Sequence, residues 1–148
     1  MTIDILVEIL ISFFVAFGFG IIFEVPKKYF LHMSIISALG RTVFIVLNEI
    51  SGYSVVVSTF AAAFLIAALS HVQARVYKAP VTVFLIAGIL PLVPGMGMYQ
   101  SVSNFMDGLI LDAVVEMVYT FMTAGAIAMA IFIVDSVFKV IKVKWPGM

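Results

Sequence analysis

Apolar residues run along this chain in long stretches, separated by short clusters of charged residues, prolines and glycines. A helix needs about 20 mostly apolar residues to cross the hydrocarbon core of a bilayer. Five stretches come close to that length, and they cover about residues 5–23, 29–47, 54–70, 81–99 and 112–137. The pattern predicts an all-α integral membrane protein with about five transmembrane helices in a single transmembrane domain, residues 1–148.

The fourth stretch contains a strong helix breaker, ILPLVPGMG at residues 89–97. Pro91 and Pro94 lack a backbone donor, and Gly95 and Gly97 permit conformations that other residues avoid. Counted from residue 81 at 1.5 Å per residue, Pro91 lies roughly 15 Å deep, near the middle of a ~30 Å core. Transporters bind substrates at such discontinuous helices. The break predicts a binding or gating element, with a simple proline kink as the alternative.

Uncharged polar side chains follow the break directly, namely Tyr99, Gln100, Ser101 and Asn104. Their hydroxyl and amide groups offer donors and acceptors suited to a small zwitterion or carboxylate. We therefore place them, with the prolines and glycines before them, on a candidate substrate path.

The last stretch carries Asp112, Glu116, Thr120 and Thr123 at spacings of four, four and three. These spacings put the four side chains on one helical face, which we expect to face the protein interior. Thr120 and Thr123 would line the path or form interhelical hydrogen bonds. Asp112 and Glu116 would lie near the outer mouth, with a solvated helix start as the alternative.

Basic residues are distributed unevenly along the chain. Seven of the eight follow the first, third and fifth stretches, as Lys27, Lys28, Arg75, Lys78, Lys139, Lys142 and Lys144. The other ends of the stretches carry only acidic charges, at Asp4, Glu8, Glu49, Asp107, Asp112 and Glu116. Because cytoplasmic loops retain Lys and Arg, this asymmetry predicts an outer N-terminus, a cytoplasmic C-terminus and an odd number of crossings.

Arg41 is the basic residue outside these clusters. Counted from Tyr29, it lies about 18 Å into the second stretch. A charge inside the bilayer costs ~2.5 to 3.5 kcal/mol on insertion scales, so Arg41 should pair, snorkel or face water. Glu8 and Glu116 are the candidate partners. Arg41 either snorkels to the outer interface or attracts anions on the substrate path.

Two further patterns have simpler readings. His32 and His71 fall at the cytoplasmic interface, where we interpret them as ordinary interfacial residues rather than proton carriers. Small residues recur at helical spacing in the first, third and fifth stretches, as Ser12-Ala16-Gly20, Ser54-Ser58-Ala62 and Ala124-Ala128. Such stripes predict close helix packing.

The amino-acid composition excludes several classes of protein. With 64% hydrophobic and 11% charged residues, the chain lies outside the range of soluble domains. Zero net charge gives no basic field for nucleic acid, and the absence of cysteine excludes thiolate metal sites. The sequence shows no phosphate loop, metal-ligand histidine pair or activated nucleophile, so we expect neither an enzyme nor a bound cofactor. The acidic N-terminus lacks a signal peptide's basic region, so the first stretch is expected to persist in the mature protein.

Several of these motifs together resemble the threonine/serine exporter (ThrE) family. They are EVP at residues 24–26, Gly40 before Arg41, the Arg75 loop and ILPLVPG at residues 89–95. The resemblance covers nearly the whole chain. It is closest to the short type that corresponds to the C-terminal half, as in the YjjB-like membrane subunits.

The resemblance implies a subunit of a secondary exporter in the bacterial cytoplasmic membrane. Its substrates would be small amino acids such as threonine and serine, or small dicarboxylic acids such as succinate. Because the two halves of this family are either fused or split, it also implies a second membrane subunit or a homo-oligomer. A non-transporting scaffold or assembly subunit, and more weakly a passive channel, are the alternatives.

Overall fold

The computed structural model describes residues 2–141, which form six α-helices. These are α1 (Thr2–Ile22), α2 (Phe30–Ile45), α3 (Val55–Tyr77), α4 (Val81–Ile89), α5 (Gly95–Met106) and α6 (Ile110–Val140). Short 3-10 turns at Lys27–Tyr29 and Leu90–Leu92 precede α2 and follow α4, and a π turn at Val46–Ile50 extends α2. No strand occurs within residues 2–141, and the predicted all-α fold is confirmed.

Four helical segments are long and apolar enough to cross a membrane, at residues 3–22, 27–50, 55–77 and 110–140. The segment from Val81 to Leu92 passes the same test only together with α5, and the two are bent by 47° at the break. These lengths confirm a multi-pass membrane protein with four to five spanning helices.

Two helices extend further than the apolar stretches that predicted them. α3 continues past residue 70 until Lys78, which takes a left-handed conformation with φ of 51° and is followed by Pro80. α5 continues past residue 99 to Met106 and ends before Gly108, which has φ of 77°. In both places the chain stops being helical where its backbone turns left-handed, and not where its apolar character fades.

α1 packs antiparallel to α2 through its predicted stripe of small residues. The Oγ atoms of Ser12 and Ser37 are 2.9 Å apart, and each also lies 3.3 Å from the other residue's carbonyl oxygen. Ala16 is fully buried, and a Cβ at Gly20 would collide with the end of the Met33 side chain. The small residues thus permit the close approach that the hydrogen bonds require.

The apolar core lies between α2, α3 and α4. Its largest fully buried side chains include Met33, Ile66 and Phe84, and α6 adds Ile127 and Ala130. These residues occupy the inner face of α6, and Ala124 and Ala128 are exposed, so that stripe does not pack within the chain and its packing against a partner stays a prediction.

The directions of α3 and α6 settle how α4 and α5 run between them. Near the C-terminal ends of both helices, His71 Nε2 lies 3.6 Å from Asp135 Oδ1, and Arg75 donates to the carbonyl of Phe138 at 2.8 Å. α3 and α6 therefore run in parallel. α4 starts directly after α3, so α4 and α5 together must return the chain to the other end, as a broken span does and a re-entrant loop does not.

Charged residues gather at the two ends of this bundle. The end that joins α1 to α2, and α3 to α4, carries the described basic residues other than Arg41, namely Lys27, Lys28, Arg75, Lys78 and Lys139. Lys142 and Lys144 lie outside the described residues. Which side of the membrane this end faces stays a prediction from the charges.

Candidate functional site: the broken fourth span

The discontinuity between α4 and α5 lies where the chain changes its packing partners. α4 packs against α2 and α3, and the 3-10 turn Leu90–Leu92 also contacts α1. α5, beyond the 47° bend, packs along α6. The break therefore separates α4, which packs among α1, α2 and α3, from α5, which packs on α6, and α6 itself also packs along α3.

The prolines produce this break by removing backbone donors. Pro91 has no N–H for the carbonyl of Ala87, and Pro94 has none for the carbonyl of Leu90. The Leu90 carbonyl accepts instead from Val93 at 3.1 Å, which tightens the turn. α5 then starts anew after Pro94, and no side chain among the described residues caps that start by a hydrogen bond. Its first N–H groups and their positive dipole end therefore point toward the break.

The closest approach of α5 to α6 is at Gly97. A Cβ at this position would collide with Oγ1 of Thr120, whose side chain is buried. One turn later, Ser101 is also buried and donates to the carbonyl of Gly97 at 2.7 Å. Thr123 is buried too and donates to the carbonyl of Tyr119 at 2.8 Å. The structure thus brings Gly97 and Thr120 together between α5 and α6, and it buries Ser101 and Thr123 one turn from that contact on the same two helices.

Other predicted residues lie on the open side of the same helices. Tyr99 is 70% exposed, Gln100 and Gly95 are exposed, and Asn104 and the two prolines are half-buried. Nothing lies within 4 Å of a Cβ built at Gly95, in contrast to Gly97.

The expectation of one inward polar face on α6 is wrong at its N-terminal end. Asp112 is exposed and Glu116 is half-buried, whereas Ala113 is 1% exposed. The buried face follows Ala113, Thr120, Ile127 and Val134 at intervals of seven residues, which is the seam of two helices packed along their length. Of the predicted stripe, Thr120 lies on that seam, Thr123 and the half-buried Glu116 lie next to it, and Asp112 lies outside it.

Arg41 pairs with Glu8, one of its two predicted partners. Its Nη2 atom lies 2.6 Å from Oε2 of Glu8, and the guanidinium stacks on Phe44 at 4.8 Å from the ring centre. The two charged side chains remain 24% and 39% exposed. They lie between α1 and α2, whereas the hydroxyl groups described above lie between α5 and α6.

A family model described as Threonine/Serine exporter, ThrE, matches residues 8–137 of the 148-residue chain. The chain belongs to the threonine/serine exporter family. No solved structure matches it. The match includes the Glu8–Arg41 pair, the whole broken span and most of α6. Members of this family are transporters, so the chain is a membrane exporter of the threonine/serine type.

The EVP motif of this exporter forms the turn between α1 and α2. Glu24 adopts a left-handed conformation with φ of 52°. A cavity of about 550 Å³ on one side of the turn is lined by Phe17, Lys27 and Phe30, among others. A second cavity of about 260 Å³ lies on its other side, against Ile86 of α4. Both cavities lie at the end of the bundle and away from the break.

A cluster of charged and aromatic side chains at the ends of α3 and α6 was missed by sequence reasoning. His71 is 8% exposed, and its ring stacks on Phe138 with a centroid distance of 4.7 Å. Besides facing His71, Asp135 is bonded to Lys139, four residues later on α6. The sequence signals were two i, i+4 pairs, His71 with Arg75 and Asp135 with Lys139. Their meeting depends on the packing of α3 on α6, which local spacing does not reveal.

Both histidines have side-chain partners, and their interpretation as ordinary interfacial residues rather than proton carriers stays a prediction. Tyr77 Oη lies 2.5 Å from Nε2 of His32, and the two rings form an edge contact between α2 and α3. His71, in contrast, joins α3 to α6 and faces a carboxylate.

Proposed function

We propose that this chain is one membrane subunit of a secondary exporter for threonine and serine, or for small dicarboxylic acids such as succinate. It works in the bacterial cytoplasmic membrane with a second membrane subunit that carries the other half of the exporter, or as an oligomer. The observation that carries the proposal is the broken span, which bends by 47° and whose two halves pack against different helices.

The break suits alternating access, because the helices on its two sides have different packing partners. α5 can move about the turn at residues 90–94 as α6 shifts along α3, while α4 stays packed against α2 and α3. Transporters with discontinuous helices place the substrate at such a break, where first-turn N–H groups attract a carboxylate. In this proposal Pro91, Pro94, Gly95 and Gly97 form the hinge of the substrate path.

Polar side chains on both sides of the break provide the remaining contacts for a zwitterion. Tyr99 and Gln100 lie on the open side of α5, and Asn104 is half-buried. Thr120 lies at the contact of α5 with α6, and Ser101 and Thr123 are buried one turn from it. Arg41, paired with Glu8, would bind the substrate carboxylate at a second position on the path, after the break. Asp112 and Glu116 would form the outer mouth.

The exposure of Gln100 supports a partner on this face. A primary amide that faces lipid leaves its donors and acceptor unsatisfied, at a cost of several kcal/mol for each fully unsatisfied group. Gln100 lies within the broken span and is exposed in the single chain. A second subunit, another copy of this chain or a water-filled path would satisfy it.

The experiment is substrate counterflow in vesicles. The chain is purified and reconstituted with and without the membrane subunit that co-purifies from its native membrane, and uptake of labelled threonine, serine and succinate is measured. We expect saturable counterflow of at least one substrate when both subunits are present. Absence of saturable counterflow for all three would contradict the exporter proposal, and linear uptake would indicate a passive channel.

The alternative function is a scaffold that only stabilises its partner, a role that the many exposed apolar side chains would also serve. Pro94→Ala separates the two when flux and co-purification are measured in the same preparation. Loss of flux with intact assembly indicates transport by this chain, whereas loss of assembly indicates a scaffold.

A further inference from the structure

His71 is a titratable side chain buried between two membrane-spanning helices. It lies on α3, is 8% exposed, and has one face stacked against Phe138 of α6. Ionisable groups inside membrane domains are costly, and they commonly mark ion pathways and proton relays. Histidine is the side chain that gains and loses a proton near neutral pH.

The charges around His71 come from both packed helices. α6 contributes Asp135, with Oδ1 at 3.6 Å from Nε2, and Lys139, which is 75% exposed and bonded to the same carboxylate. α3 itself contributes Arg75, whose Nη2 atom is directed to the carbonyl of Phe138. The nine residues of α4 include no charged side chain. On α2 the titratable group near this end of the bundle is His32, which is bonded to Tyr77.

Asp135 is therefore the carboxylate that would form an ion pair with a protonated His71. A proton on Nε2 would turn the 3.6 Å contact into an ion pair across the α3–α6 interface. After loss of the proton, Asp135 would remain paired with Lys139 alone, and the contact between α3 and α6 would be weaker. The charge of His71 thus changes the strength of one contact between the two helices.

α6 links this contact to the broken span. It is one continuous helix of 31 residues, whose last turns face His71 and whose first half packs against α5. Thr120 of α6 lies directly against Gly97, two residues after the start of α5. A small shift of α6 along α3 would therefore move α5, the helix that follows the break.

We infer that His71 and Asp135 form a proton-binding site that couples movement of the broken span to a proton gradient. This inference rests on the proposed export function, because it assigns a proton-binding position to that transporter. The ligand is a proton, and no covalent step is involved.

Two readouts in the full-length, reconstituted chain test it. The first readout is a nitrogen NMR titration of the histidine ring between about pH 5 and 8. The chain has two histidines, so in His32→Gln the ring signals come from His71 alone. We expect its ring signals to titrate in this range and the midpoint to move in His32→Gln/Asp135→Asn. A His71 signal that does not change between these pH values would overturn proton binding.

The second readout compares two modes of transport in the same vesicles. In the wild type, a pH gradient should drive threonine accumulation above the level reached by counterflow at equal pH. In His71→Gln and Asp135→Asn, the pH gradient should no longer raise threonine accumulation above the level at equal pH, while counterflow stays within about twofold of the wild type. His32→Gln is the matched control and should retain both.

The outcomes separate the two proposals. Counterflow without any response of the wild type to the pH gradient overturns the inference but leaves the exporter intact. Absence of counterflow in the wild type defeats the exporter, and the NMR titration then still decides whether His71 binds a proton. If His71→Gln and Asp135→Asn both lose counterflow as well, the pair is structural and the coupling role is wrong.

Discussion

Arg41 shows how a charge is accommodated in an otherwise apolar helix pair. Sequence alone identified it as the basic residue away from the clusters and named Glu8 among its partners, because both are placed toward the same end of the chain's first two spans. The cation–π contact with Phe44 was not predicted, since side-chain stacking at i+3 depends on the rotamer of the arginine. At this scale, spacing predicts which residues can meet, and packing decides which do.

The Glu8–Arg41 pair yields a prediction about stability. Glu8→Leu should lower the free energy of unfolding by about 1 to 3 kcal/mol, because it leaves a half-buried guanidinium without its carboxylate. Arg41→Met/Glu8→Leu should recover most of that loss. The midpoint of thermal unfolding in detergent micelles measures the effect, with the exposed Glu49→Gln as control. Equal midpoints for Glu8→Leu and the control would contradict a stabilising pair.

The sequence predicted the helical segments better than it predicted which helices pack together. Long apolar stretches predicted the spanning segments, and the prolines predicted the break, because both effects are local to the backbone. The partners of α6 were not predictable, since its apolar character extends around most of its surface. Asp112 was therefore assigned to an inward face that Ala113 occupies, and the meeting of His71 with Asp135 was missed. Helix pairing depends on shape complementarity between distant segments.

Gly97 tests the packing of α5 on α6. Gly97→Ala should destabilise the protein by about 1 to 3 kcal/mol, because the added Cβ overlaps with Oγ1 of Thr120 and overpacking forces the helices apart. Gly95→Ala, two residues earlier in open space, is the matched control and should have little effect. Gly97→Ala/Thr120→Ala should restore stability, since it removes the colliding oxygen. Thermal unfolding midpoints that are equal in Gly97→Ala and Gly95→Ala would contradict the close approach.

At the scale of the whole molecule, zero net charge conceals two opposed populations. The structure places five basic residues at one end of the bundle, and Arg41 toward the other. It also shows that α4 and α5 cross together, because α3 and α6 end side by side. Together with the tendency of cytoplasmic loops to retain Lys and Arg, this arrangement predicts an outer N-terminus.

The predicted orientation can be tested directly, because the chain has no cysteine of its own. Lys28→Cys should react with a membrane-impermeant thiol reagent only after the cells are opened, and Glu49→Cys should react in intact cells. Both positions are exposed in the structure, so a lack of labelling reflects sidedness rather than burial. The reverse pattern would contradict the orientation.

The central claim is that this member of the threonine/serine exporter family transports its substrate through the broken fourth span. The most direct measurement is the initial rate of threonine counterflow in vesicles, for the wild-type complex and for Pro91→Ala/Pro94→Ala. The two alanines return the backbone donors that the prolines remove and so favour a continuous α4–α5 helix. We predict saturable counterflow in the wild type and at least a tenfold lower rate in the variant, with co-purification of the second subunit unchanged. Equal rates in the two complexes would contradict the account.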